Sequence, residues 1–137
     1  MFGSAFSPAQ AYNRVAVDTG VMSATPHRLI ALLYEGAEKQ LLAVDAALAN
    51  GDLAAKGEAI TRAIRIVDEG LKAALDPRAG ELTENLGALY DYILRRLLDV
   101  SVSNDRAVVA EVRTLLHELG SAWTAIESDP SAGGARA

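Results

Sequence analysis

Apolar side chains recur along most of this chain in steps of three and four, the period of helices that lay one face on a core. The first stripe is Ile30, Leu33, Ala37, Leu41, Val44 and Leu48. Thr25-Pro26 opens it, because a threonine oxygen can cap a free backbone N–H and a proline at the first helical position loses nothing by lacking its own. Asn50-Gly51 stops it, and Asp52 caps the next helix almost at once. The second stripe reads Leu53, Ile60, Ile64, Val67, Leu71 and Leu75. It ends at Asp76-Pro77, since proline disfavours a helical residue before it. After Gly80 the third runs Leu82, Leu86, Leu89, Ile93, Leu97 and Val100. The fourth, capped by Asn104 or Asp105, runs Val108, Val112, Leu115, Leu119, Trp123 and Ile126. The pattern predicts helices at 26–49, 52–75, 82–102 and 105–127, each about six turns or roughly 30 Å long.

Connections of a few residues force successive helices to lie antiparallel, so the expected fold is all-α, an up-down-up-down four-helix bundle forming one domain over 1–130. Composition agrees: half the residues are apolar and only 5% aromatic, which suits packed helices better than strands. Residues 1–24 carry Phe2, Phe6, Tyr12, Val15, Val17 and Met22, too many apolar side chains for a solvated arm. That N-terminal segment is expected to dock on the bundle. Residues 131–137 are small and polar, the composition of a flexible tail.

Charge and candidate chemistry then narrow the function. The net charge is −5 with basic residues scattered among acids, which leaves little counterion release to drive nucleic-acid binding. There is no cysteine, so disulfides, thiolate catalysis and thiolate metal sites are excluded together, and a reducing compartment such as the cytoplasm fits. Met1–Gln10 has neither the basic segment nor the apolar run of a secretory signal, and no charge-free stretch is long enough to insert in a membrane. A di-metal bundle needs Glu three residues before an inward His, but Ala24 precedes His27 and Thr114 precedes His117. A histidine phosphotransfer bundle would place lysine and then glycine three and four residues after its histidine; Ile30 and Ala31 stand there after His27. No phosphate-cradling loop and no nucleophile spacing occur. The expectation is a protein with no cofactor, no metal and no enzymatic activity.

Apolar residues off the core stripes are more informative. At about 100° per residue, the second helix carries a second line, Ala59, Ala63, Ile66, Gly70 and Ala73, between its core arc and its charged side. Small residues in a line admit a close backbone, either a neighbour in the bundle or the N-terminal segment, or a partner's helix laid in a groove. The third helix has a shoulder, Gly87, Tyr90, Leu94 and Leu98, with Tyr92 on its other flank, so at least one of the two tyrosines should be partly exposed. These lines, with Tyr12 and Val15 of the N-terminal segment as a displaceable cover, are the candidate surface for holding another polypeptide. The same surface could also support a weak homodimer.

Several runs of the chain resemble the flagellin export chaperone family, FliS. The first half matches through Ala11-Tyr12, Val17, Ser23-Ala24-Thr25-Pro26-His27-Arg28-Leu29-Ile30 and Leu33-Tyr34-Glu35-Gly36-Ala37. The second matches through Gly80-Glu81-Leu82, Asn85-Leu86, Leu89-Tyr90-Asp91-Tyr92, Arg95-Arg96-Leu97, Glu111-Val112, Leu115-Leu116, Glu118-Leu119 and Ala122-Trp123. The likeness holds in order over roughly 11–127. It departs at a single glycine before Glu81, at Glu35 where aspartate is frequent, and at Gly120 where arginine is often seen; that glycine is expected to loosen the fourth helix by about 1 kcal/mol. The resemblance implies a cytoplasmic chaperone that binds the C-terminal region of unpolymerised flagellin, prevents premature assembly and presents it to the cytoplasmic domain of the flagellar export gate. It further implies a client held as an extended chain with helical pieces in grooves, and an N-terminal segment, Tyr12 included, that covers a groove in the free protein. A histidine phosphotransfer bundle or another helical adaptor are the competing functions.

Overall fold

Local chemistry sets the ends of each helix. In the computed structural model, which describes residues 25–128, α1 spans Pro26–Asn50, with Pro26 in its first turn and the Thr25 hydroxyl accepting from the Arg28 N–H at 3.1 Å. Gly51 ends it in the left-handed conformation, φ 70°, where glycine carries no Cβ penalty. The Asp52 carboxylate then accepts from the Ala55 N–H at 3.0 Å and starts α2, Leu53–Arg65. A π-helical turn, Ile66–Lys72, continues α2, and a short 3-10 turn, Pro77–Ala79, follows after Asp76. α3 is Glu81–Ser103, closed by Asn104 at φ 57°. α4 is Arg106–Ser128, preceded by Asp105, whose carboxylate accepts from the Ala107 N–H at 2.9 Å.

Cross-helix contacts fix the directions. Asp45 meets Arg106, Glu38 meets His117, and the His27 carbonyl meets Trp123, so α1 and α4 run antiparallel. Lys56 reaches Ser101 and Lys72 reaches Asp91, giving the same relation between α2 and α3. α1 lies between α2 and α4, and α3 sits diagonally across from it. The architecture is therefore the all-α antiparallel bundle, with no strand among the described residues.

The core is built from the stripes: Leu33, Ala37, Leu41 and Val44 of α1, Ile60 of α2 with Val67 and Leu71 of the π turn, and Ile93, Leu97 and Val100 of α3. Two details differ from the sequence pattern. Leu53 and Leu82 are exposed because each stands at a helix start, beyond the reach of the facing helices. In α4 the buried set is Val108, Val109, Val112 and Leu116, while Leu115, Leu119 and Trp123 are only partly buried. The expectations for residues 1–24, including Tyr12 and Val15, and for the tail lie outside the described residues.

Candidate functional site

The small-residue line of α2 faces inward. Ala59, Ala63 and Gly70 are buried and Ala73 is half-buried. Ile66 points at α1, its Cδ1 lying 3.5 Å from where a Cβ on Gly36 would sit. The small side chains bring α1 close, so Ala59, Ala63 and Gly70 are helix-packing residues and not an open groove. The helical angles set this line beside the core, whereas Ala59 and Ala63 belong to the core itself, and a helix of the same chain fills the space they leave.

The α3 shoulder divides. Tyr90 is 3% exposed, and its hydroxyl shares a 2.5 Å hydrogen bond with the Tyr34 hydroxyl across the bundle. Burial pushes the Tyr34 phenol above its ordinary range, partly offset by this bond to Tyr90. Tyr90 is thus a core residue, placed there because its ring fills the diagonal and its hydroxyl finds a partner. Gly87 is half-buried, with Leu75 Cδ1 3.6 Å from its would-be Cβ. Leu94 is half-buried against the core, Leu98 is 59% exposed and Val102 is 86% exposed. Leu94, Leu98 and Val102 stand four residues apart and climb outward from the core as one ridge. Val102 did not figure in the sequence pattern, although its step of four from Leu98 carries the signal.

Tyr92, half-buried on the opposite flank, donates to the Glu111 carboxylate of α4, and Arg96 Nε donates to the same carboxylate at 3.0 Å. The guanidinium carbons of Arg95 and Arg96 lie 6.0 and 5.9 Å from the Tyr92 ring centre. Glu111 is held below the usual carboxylate range by the Tyr92 hydrogen bond first and Arg96 second. This cluster ties α3 to α4 on the flank opposite the ridge, while the Lys72–Asp91 pair joins α3 to the π turn on the other side.

A concavity of about 420 Å³ lies between α1 and α4, bordered by Tyr34, Glu38, His117, Gly120 and Ser121. His117 Nδ1 meets Glu38 Oε1 at 3.2 Å across it. At its floor a Cβ on Gly120 would lie 3.0 Å from Tyr34 Cβ, so this glycine lets α4 approach α1 in addition to any loosening of the helix. His27 stacks on Trp123 with ring centres 4.4 Å apart, and both its ring nitrogens are shielded from solvent. A phosphoacceptor histidine needs an accessible nitrogen, so this geometry argues against phosphotransfer at His27. Among the described residues no group of three metal-ligating side chains converges, and no helix is long and apolar enough to cross a membrane.

Comparison of the sequence with known proteins finds one family. The sequence profile of the flagellar protein FliS family matches residues 8–130. The chain is 45% identical over 126 residues to the flagellar secretion chaperone FliS of Salmonella typhimurium, covering 91% of this chain and 93% of that protein. It is 36% identical to the FliS chaperone of Escherichia coli, over 89% and 90% of the two chains. With that of Bacillus subtilis the identity is also 36%, over 90% and 89%.

Proposed function

Because the chain belongs to the FliS family of flagellar secretion chaperones, we propose that it holds the C-terminal region of flagellin in the cytoplasm, prevents premature polymerisation and delivers it to the flagellar export gate. The observation that carries the proposal is the α3 ridge, two large apolar side chains left largely exposed in line with a half-buried third, Leu94. Flagellin's terminal regions pack as helices in the filament, so before assembly their apolar faces need a substitute partner. A client helix laid along Leu94, Leu98 and Val102 supplies one, with recognition by helix-in-groove packing. Gly87 stands on the same shoulder, but Leu75 Cδ1 lies 3.6 Å from its would-be Cβ, so its open side is already lined by this chain. Tyr12 and Val15 belong to the proposal as the segment that shields apolar surface until the client displaces it. No nucleotide is needed, since release at the gate is a competition between partners.

Titration calorimetry with flagellin, and with flagellin lacking its C-terminal segment, tests this directly. Strong binding is expected only for the intact client, and equal affinity for both would refute the assignment. Full burial of a leucine or valine is worth about 1.5–3 kcal/mol, so Leu98→Asp with Val102→Asp should weaken the complex by at least about tenfold. Both positions are exposed, so the melting temperature should hardly move. Unchanged affinity in the double variant would put the client on another face.

A further inference from the structure

Lys56 is the buried charged side chain of the described core, 8% exposed on the inner side of α2. Its ammonium donates to the Ser101 carbonyl at 3.2 Å and to Asn104 Oδ1 at 2.6 Å. Both acceptors sit at the end of α3, where the last carbonyls lack helical partners and carry partial negative charge. Asn104 is the left-handed residue that closes the helix. The buried cation is therefore compensated by a helix end and by the amide that shapes its cap.

What this contact holds is the outer end of the ridge. Leu97 and Val100 anchor α3 from within, but Ser101, Val102, Ser103 and Asn104 are all exposed. No apolar side chain beyond Val100 ties the last turn of α3 down. On the α2 side the neighbouring Gly57 has open space where a Cβ would be. Lys56 bridges α2 to the end of α3, and its ammonium reaches the turn that carries Val102.

We propose that Lys56 is a positioning residue for the client, pinning the last turn of α3 so that Val102 stays in line with Leu98. The inference rests on the ridge being the flagellin-binding surface. Lys56 touches no client itself; it lowers the cost of binding by ordering the surface beforehand. A loose last turn would have to be ordered each time a client binds, and that cost would appear in affinity.

Lys56→Met keeps the apolar stem and removes the ammonium. Hydrogen exchange should accelerate at the amides of 101–105 while the core amides of α1 stay protected, and affinity for flagellin should fall about tenfold through the coupling of neighbouring groups. Adding Val102→Asp to Lys56→Met should cost less than Val102→Asp alone, and Lys56→Arg should recover part of the affinity. Asn104→Gly, which keeps the left-handed turn and removes the Oδ1 acceptor, should weaken binding in the same direction and serves if Lys56→Met does not fold. If exchange and affinity are unchanged in Lys56→Met and Asn104→Gly while Leu98→Asp still weakens the complex, the positioning role is wrong and the client surface stands. If Leu98→Asp has no effect either, both fall together.

Discussion

Gly36 and Gly120 stand inside helices and should respond oppositely to a methyl group. A Cβ on Gly36 would meet Ile66 Cδ1 at 3.5 Å, an ordinary contact, so Gly36→Ala should raise stability by about 0.5–1 kcal/mol through helix propensity. A Cβ on Gly120 would lie 3.0 Å from Tyr34 Cβ and 3.3 Å from its Cγ. Tyr34 cannot yield cheaply, because it is buried and bonded to Tyr90. Overpacking of about 1–3 kcal/mol then outweighs the propensity gain, and Gly120→Ala should lower the urea midpoint. A rise for both variants would mean that α4 does not press on Tyr34. The sequence suggests only the looseness of Gly120; that another helix occupies the place of its side chain is a fact of three-dimensional packing, invisible to a propensity scale.

The elements were legible where one face alone is apolar. The α1 stripe is legible at Ile30, Leu33, Ala37, Leu41 and Val44, all buried, whereas Ala31, Tyr34 and Ala47 are buried beside it and Leu42 is exposed. α4 was harder. The lines Val108, Val112, Leu115 and Val109, Val112, Leu116 both step by three and four, and α4 touches α1 on one side and α3 on the other, so periodicity cannot choose between them. The π turn has no distinct signature in residue type. The small-residue line of α2 is compatible with a neighbour of the bundle or a partner's helix, and α1 packs there. That makes Ile66→Asp a structural variant: a carboxylate set against α1 beside Gly36 is expected to cost about 2–4 kcal/mol, the usual scale for an unpaired polar group in a packed contact. Urea unfolding checks this. Unaltered stability with lost flagellin binding would reopen the α2 line as a client surface.

Which surface stays open is decided by the whole molecule, since it depends on which helix neighbours which. The bundle closes α1 between α2 and α4 and leaves the α2 side of α3 with the ridge, and no single-helix pattern contains that choice. Charged pairs span the same helix seams: Asp45–Arg106 between α1 and α4, and Arg96–Glu111 between α3 and α4. Asp45 lies below its ordinary range chiefly through the Arg106 hydrogen bond, and Glu111 through Tyr92 and then Arg96. The sign follows from linkage. A carboxylate whose folded pKa is depressed contributes stability above its unfolded value, and that contribution disappears as pH falls through the folded value. The bundle should therefore lose stability below about pH 4, where neutralised carboxylates also leave 13 Lys and Arg side chains to repel one another. Asp45→Asn separates the two causes, because it removes one linked carboxylate and leaves every cation in place. Its melting temperature should lie below that of the parent at pH 7, with the gap narrowing from there into the acid range as the parent's own Asp45 takes up its proton. A gap that stays constant over that range would show that the Asp45–Arg106 pair contributes no pH-dependent hold between α1 and α4.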